Sequence, residues 1–317
     1  MQASLSVHPS ATTPSPIDPP LQQLQLPGIE QRLRYTAQAT AALLSGWLRP
    51  HGLISSTEGH YCADFRLTPA LRRQWHGFFR TDATREIPYL FHTSAAHLLA
   101  SRLLADLGLN LRHVRPLQQV VQHQRHADPL GQVPHQRLSC RLLRIVPLAS
   151  EAVAVQLRTR ISSHDGQLLA TQEDTLAVRH VDTAGAPGLQ HDRSIAACYA
   201  QLRDRRARLD HGEANVGEWV VGADWGRQFA KVSGLLSPAH GARLSAWMLG
   251  LRAPTLPSAC LRDLLVRQLA DIGLRAERLD ISFCRPVYLN QRLTIAQRDA
   301  EFEITDARGV LMAFGTC

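Results

Sequence analysis

Residues 224–240 read DWGRQFAKVSGLLSPAH, and this stretch is the most informative in the chain. Ser233 and Gly234 together indicate a backbone turn that shapes a loop. Ser237 stands directly before a proline, a position typical of a turn or of a helix cap. His240 is the candidate functional residue, because a histidine can accept or donate a proton near neutral pH. The alternative interpretation is a hydrogen-bonded loop histidine that packing alone retains.

Six residues of this stretch match a known signature in order and spacing: Phe229, Ala230, Ser233, Gly234, Pro238 and His240. The signature, roughly Y/F-A-x-x-S-G-D-x-N-P-x-H, is that of the MaoC-like family of R-specific enoyl-thioester hydratases and dehydratases, which this stretch resembles. The later segment Arg285–Leu289 resembles the K-P-x-x-L segment of the same family. Family members with two fused hot-dog units carry the signature in the C-terminal unit, which is where this chain has it.

The resemblance implies a reaction and a substrate class. Such enzymes add water to an enoyl thioester or remove it from a 3-hydroxyacyl thioester, and coenzyme A or an acyl carrier protein carries the acyl group. In the family an Asp and a His five residues apart bracket one water, and the Asn between them orients it. A helix N-terminus offers a backbone N–H to the thioester carbonyl. No cofactor is implied.

The chain departs from the signature at the positions that carry the chemistry. Leu235 stands in the Asp position and Ser237 in the Asn position, so only His240 remains of the acid–base pair. The family's second motif, I-A-H-G-M, aligns with residues 255–259, where Ser258 replaces the Gly. Ser258 is expected to cap the following helix and to present its N–H there. The predicted site is therefore His240 as catalytic residue, with substrate-binding residues Ser233, Gly234, Ser237 and Ser258.

Three functional hypotheses follow from the missing Asp. The first is a dehydratase or hydratase in which another carboxylate, from Asp224, Asp263 or Glu301, takes its place. The second is a non-catalytic subunit that binds acyl thioesters or carrier proteins, because losing one acid–base partner commonly costs about 10²–10⁴-fold in rate. The third is a hot-dog thioesterase that uses Asp263. His92 and His97 flank the start of the first long helix, where a degenerate second site is a further, weaker hypothesis.

Periodicity and a repeat predict two similar units. Apolar residues recur at helical spacing in Ser94–Leu107 and in Ser258–Ile272, and a proline-rich leader precedes a further helical pattern at Glu30–Leu48. The sequence LADLGL at 104–109 returns as LADIGL at 269–274. Strand-like runs follow each long helix: Val114–Gln124, Arg137–Val146, Glu151–Ser162 and Gln167–Arg179, then Arg278–Phe283, Arg292–Thr305 and Val310–Gly315.

These elements predict an α+β protein with the double hot-dog fold, two antiparallel sheets each packed around a long helix. We divide it into a flexible leader at 1–28, an N-terminal hot-dog unit at 29–183 and a C-terminal unit at 184–317. Gly185, Pro187 and Gly188 indicate a linker at 182–192. The fused units already supply the interface that single-unit relatives form by dimerising, so a homodimer is an open alternative.

The amino-acid composition restricts the kinds of molecule that this protein is expected to bind. The chain has 317 residues and a formal net charge of +8, and Lys231 is its only lysine among 35 basic residues. The arginines are spread without a block of like charge, so no nucleic-acid partner is predicted, whereas a carrier protein or the phosphates of coenzyme A suit a basic surface. No run of 18 apolar residues and no signal peptide pattern occurs, which predicts a cytoplasmic protein without a membrane span. The six cysteines form no CxxC, and no metal site is predicted.

Overall fold

The computed structural model describes residues 22–25, 52–54, 58–79, 93–124, 133–149, 151–182, 193–205, 207, 215–233, 238–274 and 276–317. The strands within these ranges are β1 Gln22–Gln25, β2 Gly52–Leu53, β3 His60–Arg66, β4 Val114–His123, β5 His135–Ala149, β6 Ala152–Ser163, β7 Leu168–Arg179, β8 Val181–Asp182, β9 Asn215–Val220, β10 Arg278–Phe283, β11 Arg292–Arg298, β12 Glu301–Asp306 and β13 Leu311–Thr316. The α-helices are α1 Pro69–Phe79, α2 Thr93–Asp106, α3 Arg193–Asp204, α4 Trp225–Ser233, α5 Pro238–Gly241, α6 Arg243–Met248 and α7 Ser258–Asp271.

Two five-stranded groups have the same topology. The first group is ordered β3-β5-β6-β7-β4 and the second β9-β11-β12-β13-β10, so the order in both is first, third, fourth, fifth, second along the chain. All pairs within the groups are antiparallel. Strands β4 and β10 pair antiparallel, with Ile281 opposite Gln119, and join the groups into one sheet. The expected α+β class, with two sheets side by side, is confirmed.

Each group of strands packs around one long helix that lies between its first two strands in the chain, α2 in the first group and α7 in the second. In α2 the buried side chains recur at helical spacing: Ala96, Leu99, Ala100, Leu103 and Leu104. Helix α7 is more deeply enclosed, because every residue from Ala259 to Val266 is buried. Both helices belong to one apolar core that also contains the inward faces of the strands.

The sequence repeat is a repeated helix ending. Gly108 and Gly273 adopt φ values of 78° and 82°, a left-handed conformation that favours glycine. The next residues, Leu109 and Leu274, donate backbone hydrogen bonds of 3.0 and 2.8 Å to the carbonyls five residues earlier. This 6→1 bond is the Schellman motif, which satisfies carbonyls that a helix end leaves unpaired. The two copies therefore end α2 and α7 by the same geometry.

An aromatic cluster ties the two groups together on one side of the sheet. Trp75 and Phe79 of α1 stack with their ring centroids 5.4 Å apart, and Phe229 of α4 meets Trp75 edge-on at 5.6 Å. Phe78 contacts Trp225 at 6.0 Å. Because Trp75, Phe79 and Phe229 have at most 1% exposed surface, this cluster fixes α4, the helix that carries the first half of the predicted signature.

Several expectations differ from the structure or fall outside it. Residues 22–25, placed in the flexible leader, form a strand that pairs in parallel with β3. The run predicted at 292–305 is two strands, because Asp299 has a φ of 53° and turns the chain between β11 and β12. The helical pattern at 30–48 and the linker at 183–192 lie outside the described residues. The domain boundaries at 28 and 183 stay predictions.

Candidate functional site

The imidazole of His240 is hydrogen-bonded to Thr255, which lies in the segment that precedes helix α7. His240 lies in α5, and its Nδ1 is 2.8 Å from the carbonyl oxygen of Thr255 and 3.1 Å from the Thr255 hydroxyl. Thr255 is buried and forms an antiparallel bridge with Tyr288. Tyr288 belongs to the segment at 285–289, whose sequence resembles the later K-P-x-x-L segment of the family. The two resembling segments therefore meet at this histidine.

The hydrogen bond to Thr255 determines the tautomer of His240. A carbonyl oxygen only accepts, so Nδ1 carries the proton and Nε2 presents a lone pair. Burial is the main cause that lowers the pKa of His240 to about 4; the hydrogen bond to the Thr255 carbonyl acts in the opposite direction, and repulsion from His97 and Arg115 adds to the lowering. At neutral pH the ring is uncharged. Nε2 has no hydrogen-bond partner within the described ranges, and it is therefore available as a proton acceptor.

None of the three predicted substitute carboxylates lies beside His240. Asp224 accepts a hydrogen bond from Gln228 within α4 and its neighbouring turn. Glu301 is exposed at the start of β12. The charged neighbours that shift the His240 pKa are His97 and Arg115, and none is a carboxylate in the part of the chain that the structure describes. The expected acid in the place of Leu235 is thus not found there, while Leu235, Gly234 and Ser237 themselves lie outside the described residues.

Asp263 instead forms a buried ion pair with its neighbour Arg262. Arg262 donates from Nε and Nη2 to Asp263 Oδ1 at 3.0 and 2.8 Å, and the two residues have 1% and 0% exposed surface. Burial raises the pKa of Asp263 to about 7, against the attraction of Arg262, which lowers it. The second carboxylate oxygen, Oδ2, has no hydrogen-bond partner among the described residues.

Arg262 continues the polar contacts into the N-terminal group of strands. Its Nη1 donates to the side-chain oxygens of Gln119 at 2.8 Å and Gln172 at 3.3 Å. These glutamines donate in turn to the two oxygens of Asp174, at 2.5 and 2.8 Å. We call this set of five residues the interunit network, because α7 supplies Arg262 and Asp263 while β4 and β7 supply the others. Almost every donor and acceptor in it is paired, as buried polar groups require.

His97 of α2 lies beside the far end of the interunit network. The side chain keeps an exposed surface although protein surrounds it densely, so burial lowers its pKa. Asp174 acts in the opposite direction and raises the pKa of His97 by electrostatic attraction. His97 also interacts electrostatically with His240, and this interaction lowers the pKa of His240.

Sequence reasoning named His97 only as part of a weak second site with His92, which lies outside the described residues. It missed Asp174, Gln119 and Arg262. One available signal was the alternation in β7, where Ala170, Gln172 and Asp174 share the buried phase of the strand. Polar residues at buried positions of an alternating strand indicate an internal polar contact.

Ser258 is placed differently from the expectation. Pro257 occupies the N-cap position of α7, with φ −57° and ψ 138°, and no side chain caps the helix. Ser258 is the first helical residue, so the expected capping role is wrong, whereas its N–H still belongs to the unpaired first turn. The first helical hydrogen bond runs from Leu261 N–H to the Pro257 carbonyl at 3.1 Å. Three N–H groups at the start of α7, three residues beyond the His240 anchor Thr255, precede that bond.

Ser233 ends α4 with its hydroxyl turned back into the helix. Its Oγ donates to the carbonyl oxygen of Phe229 at 2.7 Å, and the residue has 3% exposed surface. This local hydrogen bond holds the last turn of α4. The predicted role of Ser233 in substrate binding stays a prediction.

A close backbone contact sets the position of His240. Gly226 of α4 packs against the carbonyl of His240, and an added Cβ would overlap that oxygen.

We expect Gly226→Ala to lower the free energy of unfolding by about 1–3 kcal/mol, because the backbone must move to admit the methyl group. Chemical denaturation measures this. In the matched control Gly77→Ala, where nothing lies within 4 Å of the new Cβ, a gain of about 0.5–1 kcal/mol is expected from helix propensity. Equal effects of the two changes would contradict the close contact.

A basic cluster lies next to His240. The rings of His113 and His180 are 4.5 Å apart. Burial, the neighbouring His180 and three arginines lower the pKa of His113 to about 4, and the arginines are Arg112, Arg115 and Arg179. Arg115 also interacts electrostatically with His240 and Tyr288. Of these three arginines, Arg115 is the one that acts on the candidate base.

The described residues contain neither a metal-binding cluster nor a membrane-spanning helix. They hold no group of three or more His, Cys, Asp or Glu side chains arranged to bind a metal ion. No helix among them combines the length and the hydropathy needed to cross a membrane.

Comparison with solved structures finds the same fold at low sequence identity. HtdX of Mycobacterium tuberculosis superposes with a TM-score of 0.60 at 12% identity, covering 81% of this chain and 98% of that one. A MaoC-like dehydratase from Phytophthora capsici gives 0.57 at 12% identity, covering 83% and 95%. A Mycobacterium tuberculosis protein described as having a double hot-dog fold gives 0.50 at 12% identity, covering 82% and 95%. No protein-family model and no curated protein matches the sequence.

Proposed function

From the double hot-dog fold that this chain shares with solved MaoC-like dehydratases, we propose that it is a hydro-lyase of the same type. It would interconvert 3-hydroxyacyl and enoyl thioesters, with His240 as the general base. The observation that carries the proposal is the state of His240. A neutral imidazole with Nδ1–H fixed on Thr255 and a free Nε2 lone pair is the form that removes a proton.

The thioester carbonyl has a natural place at the start of α7. Negative charge develops on this oxygen when the adjacent carbon loses a proton, and hydrogen-bond donors aimed at it lower the barrier. The unpaired N–H groups of Ser258 and Ala259 and the positive end of the helix dipole offer such donors. The anchor of His240 on Thr255 keeps the base near these groups.

The basic cluster suits the carrier of the acyl group. Arg112, Arg115 and Arg179 surround His113, Arg115 also interacts electrostatically with His240, and arginine binds phosphate oxygens by paired hydrogen bonds. The phosphates of coenzyme A or of the prosthetic arm of an acyl carrier protein would supply the complementary charge. The five cysteines with described side chains are unpaired, which supports the cytoplasmic location that such carriers require. A homodimer stays a prediction.

The second candidate is a non-catalytic subunit that binds acyl thioesters or carrier proteins. The observation that favours it is the lack of a carboxylate beside His240 in the described part of the chain. A thioesterase that uses Asp263 has less support. Asp263 has 0% exposed surface and is bound to Arg262, so neither a water nor a thioester carbonyl reaches it in this structure.

Hydration of enoyl thioesters separates the two candidates. Crotonyl- and longer enoyl-coenzyme A, and the same acyl groups on a carrier protein, are followed by loss of the absorbance of the conjugated thioester. The proposal expects turnover by the wild type and at most a modest gain in Leu235→Asp. A silent wild type together with an active Leu235→Asp would replace the proposal by the binding subunit. Silence of both variants on every substrate would reject the hydro-lyase.

A further inference from the structure

We propose that helices α4 and α6, with the loop that follows α6, form the docking surface for an acidic acyl carrier protein. This inference rests on the proposed function and names the carrier protein, in place of free coenzyme A, as the partner that delivers the acyl thioester to His240. We call these residues the docking surface, and six exposed side chains define it: Arg227, Lys231, Arg243, Leu244, Trp247 and Arg252.

The apolar part of the docking surface is a pair of side chains on α6. Leu244 and Trp247 have 69% and 70% exposed surface, the largest values of any large apolar residue in the described ranges. Because they are three positions apart on a helix, they lie on the same face. Adjacent apolar side chains that remain in water are typical of a protein-binding site, and tryptophan is enriched among the residues that dominate binding energy.

Helix α6 holds this pair in a fixed orientation. Ala246 has 0% exposed surface and packs the helix against the rest of the protein. Leu251 donates a backbone hydrogen bond of 3.0 Å to the Ala246 carbonyl, and Gly250, with a φ of 74°, donates one of 2.8 Å to the Trp247 carbonyl. This is the Schellman ending that α2 and α7 also have. A surface fixed before binding loses little conformational freedom when a partner docks.

Positive charge surrounds the apolar pair. Residues 225–262 contain no Asp or Glu, although these two types make up 27 of the 317 residues of the chain. The guanidinium carbon of Arg252 is 4.2 Å from the ring centroid of Tyr288, a cation–π contact that orients this arginine. Four exposed cations of the range form no ion pair within the described part of the chain: Arg227, Lys231, Arg243 and Arg252. Unpaired positive charge around an apolar centre is complementary to an acidic protein.

The docking surface adjoins the segment that carries His240. Helices α4 and α6 both contact α5, and Gly226 of α4 packs against the His240 carbonyl. Helix α6 begins at Arg243, three residues after His240, and His240 is only half-buried. A partner seated on α4 and α6 therefore presents its acyl group next to the candidate base. Free coenzyme A has no protein surface to cover Leu244 and Trp247, so the apolar pair favours the carrier protein.

Kinetics with two forms of one substrate test the docking surface. Hydration of the crotonyl group is measured on coenzyme A and on an acyl carrier protein for Trp247→Ser and Arg243→Glu. We expect the ratio of kcat/KM on the carrier protein to kcat/KM on coenzyme A to fall by about tenfold, because an apolar contact or an attraction is lost. The matched controls are Ile272→Ser, 40% exposed at the far end of α7, and Arg160→Glu, exposed on β6. Both should keep the ratio of the wild type.

Lys231 permits a second test that needs no turnover. Besides the N-terminal amine, it is the only primary amine of the chain. The carboxylates of the carrier protein are converted to amine-reactive esters before mixing, and mass spectrometry identifies the crosslinked peptides. We expect a crosslink at Lys231, and its loss in Lys231→Arg, which keeps the charge. In the control, Lys231→Arg combined with Arg160→Lys, the single lysine lies on β6 and should remain unlinked.

Three results would overturn the inference. The first is an equal crosslink yield for a lysine at 231 and at 160. The second is an unchanged ratio in either Trp247→Ser or Arg243→Glu while the wild type is active. The third is a dimer in analytical ultracentrifugation that Trp247→Ser dissociates, which would assign the surface to a second copy of the chain.

The crosslink separates this inference from the proposed function. A wild type that crosslinks at Lys231 but turns over no substrate would reject the hydro-lyase and support the docking surface. A wild type that hydrates both substrates without any crosslink at Lys231 would reject the docking surface alone. Near-ultraviolet circular dichroism shows whether each variant is folded, and Trp247→Gln replaces Trp247→Ser if the latter is not.

Discussion

His240→Gln is expected to lower kcat/KM for enoyl-thioester hydration by about 10³-fold, because it removes the imidazole that the proposed function assigns as the proton acceptor. A factor of this size corresponds to about 4 kcal/mol of transition-state stabilisation. The matched control is Thr255→Val, which deletes the hydroxyl at 3.1 Å but keeps the carbonyl at 2.8 Å that fixes the ring. We expect the control to remain within fivefold of the wild type.

The pH profile gives a second readout of the same residue. Burial lowers the pKa of His240 to about 4, and a general base works only when it is unprotonated. The acid limb of kcat/KM for the wild type should therefore lie near pH 4, well below the ordinary range of histidine, with activity maintained from pH 5 upward. A limb near pH 6.5, or a His240→Gln variant of normal activity, would remove His240 from the role of base.

Arg262→Met is expected to lower the free energy of unfolding by about 3–5 kcal/mol at pH 8, because it leaves the Asp263 carboxylate buried without its cation. Gln119 and Gln172 lose a donor in the same change. Urea denaturation measures the loss. The double variant Arg262→Met with Asp263→Leu should recover more than half of it, since the unpaired charge is then absent.

The control for Arg262→Met is the exposed ion pair between Arg102 and Asp106 on α2. Arg102 and Asp106 are 3.1 Å apart and more than a third exposed, so Arg102→Met should cost less than about 1 kcal/mol.

The stability deficit of Arg262→Met is expected to depend on pH. Without Arg262 the pKa of Asp263 rises above the value of about 7 that it has in the intact pair. A folded state that binds more protons loses stability as pH rises, so the Arg262→Met deficit should grow as pH rises above about 7 and be larger at pH 8 than at pH 5. A deficit independent of pH, or undiminished in the double variant, would attribute the loss to packing.

The parts of the fold that sequence analysis predicted are local. The leucine periodicity of α2 and α7 and the six-residue repeat at 104–109 and 269–274 are both determined by residues within a few positions of one another. Strand β9 was not predicted, because its sequence NVGEWV contains Gly217 and too few residues for a clear alternation. Its pairing with β11, more than 70 residues later, makes it a strand.

In the candidate site, too, sequence analysis found the local features and missed the contacts between distant residues. His240 was found because the signature is compact, and its anchor lies only 15 residues away. The partner groups were not found, because the contacts of Arg262 with Gln119 and Gln172 join positions 143 and 90 residues apart. Spacing in one sequence carries no information on such pairs. The choice of Asp263 as a reacting carboxylate stays a prediction, with less support because the residue is fully buried and paired with Arg262.

The interunit network also sets an order of events at the ribosome. Gln172 is synthesised 90 residues before Arg262, an interval of about 5–20 s at usual rates of translation. During that time Gln119 and Gln172 of the nascent N-terminal half lack the hydrogen bonds that Arg262 later donates to them. Its interior is therefore expected to stay hydrated until α7 emerges and docks. Because both units belong to one polypeptide, Arg262 is covalently linked to the N-terminal half. Its local concentration is therefore high, and the ratio of the two halves is fixed at one to one.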